Sequence, residues 1–271
     1  MALTAICARI SLPAFSIKHP EAFQIAASLP IPQPSTLAGA LAYCLGTWEK
    51  TGCGVAKNRV ERALLAARAR LSSKVTVSTP IVLRRFRVLD KGLESKGKRE
   101  EPAFKRAYKA LDLKDFTGFR KTIEGELIDA LYREYLAMAS LNCVWVIREP
   151  LNHEILYLLQ RLGDSESLVT VTEAWTCECK EVSLERPTTK YPLSLDPNTV
   201  KDVKGNYMAV RMHDEKRDKL KIYYLPCNKE VSTTADGVKY FTYTPTEIEV
   251  ELERPTRFFE VEDGIVAEVG E

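Results

Sequence analysis

Three prolines at alternating positions, Pro30, Pro32 and Pro34, constrain this chain more than any other feature. Each fixes φ and removes a backbone donor, so the segment must run extended. Ser35 and Thr36, both good helix N-cap types, follow at once. Next come Leu37, Ala38, Ala40, Leu41, Ala42, Tyr43, Cys44 and Leu45, apolar on nearly every side. A helix of that kind belongs inside a domain rather than on its surface. Gly39 lowers helix propensity but lets another backbone come close. The pattern predicts a rigid arm feeding the N-terminus of a buried helix, whose free N–H groups make a natural anion site.

The remaining periodicities supply a coarse element order. Residues 2–12 have the pattern of a strand closed by Pro13, and the proline-led helix runs to about residue 49. Gly52-Cys53-Gly54 breaks the chain, and residues 58–71 are expected to form a second helix carrying Arg59, Arg62, Arg68 and Arg70. Residues 74–90 alternate as a strand, with Pro80 arguing for a sheet edge. A charged, glycine-containing loop is expected over 91–103, and 104–111 fits either a strand or a helix. Ile123, Leu127, Leu131, Tyr135 and Met138 predict a helix over 122–140. A short strand over 141–148 then stops at Pro150. Asn152 caps a helix that Gly163 ends, and 168–178 is a strand. Beyond Pro187 the chain turns to short strands, over 207–212, 220–225, 238–244, 247–253 and 258–261.

This order, β-α-β, insertion, β-α-β and a β-rich remainder, predicts an α+β protein. Its N-terminal domain is expected to be ferredoxin-like over 1–180, with an inserted thumb at about 84–140 and a β-rich region over 181–271. No apolar run approaches the ~20 residues of a membrane span. Residues 1–15 also lack the charged start and cleavage site of a signal peptide, so a cytoplasmic protein with no membrane partner is expected. Seven cysteines, an odd number, do not make a secreted disulfide framework. Only Cys177 and Cys179 are closely spaced, whereas a structural zinc needs four ligands, so packed thiols and no metal or cofactor are expected. The net charge of +2 hides an asymmetry: residues 247–271 hold nine acidic and two basic side chains, which leaves 37 basic against 28 acidic elsewhere. A basic body with an acidic strip suits a polyanion on one surface and a protein on another.

Phe15-Ser16-Ile17-Lys18 followed by the P-x-P-S-T-x-x-G run ending at Gly39 resembles the type I CRISPR-associated RAMP proteins of family five. The archaeal subtype I-A branch is the most similar in layout. The resemblance implies the same ferredoxin-like fold, with a thumb reaching over a guide RNA. It further implies the role of a non-catalytic subunit of a surveillance (Cascade) complex in antiviral defence. Such a subunit holds the 5′ handle of the guide crRNA, caps the backbone filament, and contacts the backbone and large subunits.

The residues that would do this are basic and aromatic. Arg84, Arg85 and Arg87 surround Phe86, and Lys105, Arg106 and Lys109 are interleaved with Phe104 and Tyr108. Arginine for phosphate and aromatic rings for bases is the chemistry of single-stranded RNA binding. As a strand, Phe104, Arg106 and Tyr108 would share one face. Ser35 and Thr36 would present the helix N-terminus to phosphate, with Lys18 and His19 beside them and Arg161, Ser165 and Ser167 on the other side. The blander alternatives are a solvated hairpin, a helix C-cap at Gly163 and serines filling a turn. Gly92–Arg99 lacks the Ser or Thr that would complete a P-loop, which excludes nucleotide binding there. An endoribonuclease that processes precursor crRNA without metal is the rival, since subtype I-C relatives cut RNA with Tyr, Lys and His. Here Lys18 and His19 are the pair nearest the expected RNA face, and no full acid–base set is evident.

Overall fold

A computed structural model describes residues 3–21, 27–86, 101–163, 167–235, 237 and 239–270, the backbone alone being described for 82–86 and 129–132. The chain divides into two compact units, Met1–Thr79 with Glu134–Glu271, and Pro80–Arg133. The β-rich C-terminal stretch therefore belongs to the first unit, unlike the expected division at residue 180.

In chain order the elements are β1 (Leu3–Phe15), α1 (Pro34–Glu49), α2 (Cys53–Ala63), β2 (Leu64–Leu71), β3 (Thr76–Phe86), α3 (Ala103–Asp112), α4 (Phe116–Thr122), β4 (Ile128–Ile147) and β5 (Thr170–Leu184). A π turn at Ile123–Leu127 precedes β4, and a 3-10 turn at His153–Leu158 precedes β5. The β-rich part holds β6 (Thr188–Thr189), β7 (Val200–Lys204), β8 (Met208–His213), β9 (Leu220–Leu225), β10 (Cys227–Thr233), β11 (Lys239–Pro245), β12 (Ile248–Leu252), β13 (Thr256–Val261) and β14 (Gly264–Glu268).

Among the described residues the main sheet has nine strands, ordered β10-β11-β3-β4-β1-β5-β13-β14 with β2 also paired to β4. β1 alternates between two cores. Ile6, Ala8, Ile10 and Leu12 pack with Leu37, Leu41, Cys44 and Leu45 of α1, while Ala5 and Cys7 pack with Tyr191, Phe259 and Val266. The apolar run of α1 is accordingly buried apart from Tyr43, and the Trp145 indole N–H donates to the Leu37 carbonyl at 2.9 Å to hold it on the sheet.

The structure corrects several expected elements. The helix expected over 58–71 ends at Ala63, and Leu64–Leu71 is strand β2 in register with β4. Of the helix expected over 122–140 only Thr122, the last residue of α4, and the π turn are helical; residues 128–147 form one strand. Its partner explains why: β1 pairs with β4 from Phe15↔Leu136 to Thr4↔Ile147, and backbone donors of β1 would otherwise be buried unpaired. β1 runs past Pro13 to Phe15. The ladder skips Pro13, which has no N–H, and opposite it Met138 takes φ 61°. β3 lies between β11 and β4, but its β11 pairing ends at Ser78, so Pro80 sits past that ladder on a locally open side of the strand, among the described residues. Residues 104–111 lie in helix α3, and the helix after Asn152 is one 3-10 turn. In the β-rich part, the expected strands match β8, β9, β11, β12 and β13 to within two residues.

Candidate functional site

The N-terminus of α1 opens into a groove of about 810 Å³ lined by Lys18, Gln33, Ser35, Thr36, Tyr43, Lys57, Gly163, His213, Lys216 and Arg217 among others. A second cavity of about 350 Å³ shares Thr36, Gly39, Tyr43 and Gly163 with it and adds Arg161. Three stretches that the sequence pattern singled out separately, Lys18, Ser35-Thr36 and Arg161-Gly163, thus meet around one helix terminus.

Local chemistry explains the meeting. Gln33, not Ser35 or Thr36, is the N-cap, with Pro34 at the first helical position. The expectation that Ser35 and Thr36 cap the helix is corrected: both lie inside its first turn, and no side chain caps it. The Gln33 amide is engaged elsewhere. It donates to the Lys18 carbonyl at 3.2 Å and accepts from the His213 backbone N–H at 2.9 Å, stitching the end of β1 and the end of β8 to the helix start. With no acidic residue in that first turn, the positive end of the helix faces the groove uncompensated. Gly39 faces open space, so its lack of a side chain widens the groove rather than admitting a protein backbone as expected.

Lys216 and Arg217 reach the groove on the tight turn between β8 and β9. The Asp214 carboxylate accepts from the Asp218 and Lys219 N–H groups at 3.0 and 3.3 Å, and Arg217 takes φ 64°. Glu215, just before Lys216, turns inward to Arg68, a guanidinium 3% exposed that also pairs with Glu268 at 3.3 Å and lies 5.2 Å over the Tyr223 ring. Burial opposes the charges here, but the two carboxylates prevail and raise the Arg68 pKa. Burial likewise pushes the Glu215 carboxyl up, and Arg68 more than reverses this, leaving it below its usual value. Glu268, mostly buried, is raised by that burial. This buried triad anchors the basic turn from below.

Other expected contacts lie elsewhere. Ser167 is fully buried; its hydroxyl accepts from the Ser16 N–H at 3.0 Å and donates to the Ser16 carbonyl at 3.3 Å. It fastens the Arg161 hairpin to β1 and is unavailable to RNA, which corrects the expectation. His19 accepts from the Glu21 N–H at 3.2 Å in an exposed turn. In the second unit, α3 puts Phe104 and Tyr108 one turn apart on an exposed face. Arg106 points away from them, donating to Glu126 at 2.6 Å and to the Glu101 carbonyl at 3.1 Å, so the strand-like shared face is corrected. Lys105 is exposed beside them. Arg84, Arg85 and Phe86 lie on β3, but their side chains, with all of Arg87 and Ser165, lie outside the described residues.

The acidic strip is also different from expectation. Glu247, Glu249, Glu251 and Glu253 stand against Lys190, Lys204, Arg186 and Lys201 at 4.0, 3.5, 3.0 and 3.9 Å. Exposed pairs of this kind add little stability, but they neutralise the negative face that was expected to meet a basic protein.

Among the described residues no group of His, Cys, Asp and Glu is arranged to hold a metal ion, and no helix is long and apolar enough to cross a membrane. Lys57, Lys216, Arg217 and His213 were not singled out by the sequence pattern. The charged turn 214–219 between two legible strands was the available signal.

The family described as CRISPR-associated protein (Cas_Cas5) matches residues 5–142. A CRISPR-associated protein Cas5 of Thermoproteus tenax is 28% identical over 165 residues, which cover 59% of this chain and 61% of that protein. One of Methanocaldococcus jannaschii is 27% identical over 195 residues, 67% of each chain. The chain thus matches less than two thirds of the Thermoproteus protein. A crystal structure of a CRISPR protein from Archaeoglobus fulgidus shares the fold, with a TM-score of 0.56 at 14% identity over 97% of both chains.

Proposed function

The chain belongs to the CRISPR-associated Cas5 family, and from that premise we propose that it is a non-catalytic, RNA-binding subunit of a type I-A surveillance complex. It grips the 5′ handle of the guide crRNA in the groove at the α1 N-terminus and caps the backbone filament, meeting the backbone and large subunits there. The strand order β2-β4-β1-β5 supports a ferredoxin-like core, and the separate compactness of Pro80–Arg133 supports an inserted thumb.

One observation carries the reading: an uncapped helix terminus faces a groove into which Lys18, Lys216 and Arg217 converge beside the Lys57–Glu61 pair, with Arg161 in the adjoining cavity. Phosphate is favoured there chiefly by the helix dipole and the Ser35 N–H, since Pro34 has none and the Thr36 and Leu37 N–H groups bond the Gln33 carbonyl, and the lysines and arginines supply countercharge. Gly39 leaves room beside the half-exposed Tyr43 ring for an unpaired base.

A second reading, the metal-independent endoribonuclease, is favoured by one specific feature. Lys18, Tyr43 and His213 line the same groove, although the His213 Nδ1 is buried without a partner. Ultraviolet crosslinking of the purified chain to RNA of handle sequence tests both. Adducts are expected at Tyr43 and within 159–163 or 213–217, with the RNA recovered intact. Crosslinks confined to other surfaces would remove the groove from the account. Site-specific cleavage lost in His213→Ala would establish the nuclease instead.

A further inference from the structure

Cys7 on β1 and Cys177 on β5 place their sulfurs 3.4 Å apart. The register explains the approach: Cys7 is opposite Trp175 and Ala5 opposite Cys177, so the two thiols are diagonal neighbours on one face of the sheet. They differ in access. Cys7 is 3% exposed in the core with Phe259 and Val266, whereas Cys177 is half-buried; both line a cavity of about 540 Å³, and Cys177 alone lines a second of about 440 Å³. Cys177 and Cys179 are the close pair in sequence, but the sulfur contact lies across strands.

We propose that Cys177 and Cys7 form a dithiol that small-molecule disulfides oxidise, with Cys177 the attacking thiolate and Cys7 the resolving thiol. The electrostatics are consistent with this division. The hydrogen bond between the two thiols lowers the Cys177 pKa against burial and the Glu262 and Asp263 carboxylates, and raises that of Cys7, which burial raises further. A partly exposed thiol with a lowered pKa attacks disulfides more readily than its buried neighbour.

The step balances in two exchanges. The Cys177 thiolate attacks one sulfur of a disulfide such as oxidised glutathione, forming a mixed disulfide and expelling one thiolate. Cys7 gives its proton to solvent and attacks the Cys177 sulfur, expelling the second thiolate. Two protein thiols are oxidised and the external disulfide is reduced to two thiols. The product crosslinks β1 to β5 and closes a loop spanning most of the chain, which restricts the unfolded state.

The test uses the full chain with exposed Cys53 replaced by Ser, treated with oxidised glutathione and mapped by peptide mass spectrometry. The expected result is one internal disulfide joining the peptides of Cys7 and Cys177, and a melting midpoint higher by roughly 5 °C in the oxidised form. Cys7→Ala should instead stop at one glutathione adduct on Cys177, and Cys177→Ala should take none at Cys7. A disulfide mapped between other cysteines, or a wild-type pair left reduced while a control dithiol peptide is oxidised, overturns the proposal. Both outcomes are read on the unaltered pair, so they do not depend on the folding of either variant.

Discussion

Gly39 is the residue at which fold and proposed function make opposite demands. It faces open space on an exposed helix position, where glycine costs about 0.5–1 kcal/mol relative to a good helix former. Gly39→Leu should therefore stabilise the chain by about that amount in urea melts while weakening handle RNA binding, because the side chain fills the groove. Loss of stability, or unchanged binding, contradicts the open-groove account. Arg68 makes the complementary case in the core. Arg68→Met leaves Glu215 and Glu268 largely buried with only the Ala67 and Ser194 N–H groups as partners and should cost about 3 kcal/mol at neutral pH. Without Arg68, burial raises both carboxyls, so the folded variant binds protons that its unfolded state has released. The stability deficit should then narrow as pH falls through those raised values, and a deficit independent of pH would place the loss elsewhere. Lys18, Thr36 and Arg161 were legible as candidates because their types and local motifs are visible in the sequence. Ser167 was misjudged because a serine's role depends on its partner, here the Ser16 backbone 151 residues away.

Gly163 decides the geometry of the hairpin that carries Arg161. It takes φ 105°, and a Cβ there would lie 2.8 Å from Ile17 Cγ1 and 3.0 Å from the Ser16 carbonyl oxygen. Gly163→Ala should cost about 1–3 kcal/mol and, by displacing the hairpin, weaken RNA binding as well. Thermal melts and a binding titration of the same sample check both, and an unperturbed melt would mean the hairpin can move without cost. At this scale the sequence pattern was reliable where local signals decide, as in the proline-led α1 and the short strands after Pro187. It failed at β2 and β4. Leu127, Leu131, Tyr135 and Met138 have helical spacing, yet β1 demands a partner strand and takes residues 136–147. That requirement is tertiary and cannot be read from a window of local sequence.

Charge is the property of the whole molecule that the account rests on. The acidic residues near the C-terminus are paired strand to strand with lysines and an arginine, so the asymmetry visible in composition is partly cancelled on the surface. Around the α1 terminus, by contrast, Lys18, Arg161, Lys216 and Arg217 come together from three separate stretches of chain, with Lys57 beside them paired to Glu61. A composition count could show the surplus of basic residues but not their convergence. The most direct measurement is the salt dependence of binding to single-stranded handle RNA. Each neutralised phosphate contributes about −0.7 to the slope of log K against log salt. Replacing Lys57, Lys216 and Arg217 together by Ala should weaken binding and flatten that slope by about 2. A variant that keeps the wild-type slope would contradict the groove as the RNA site.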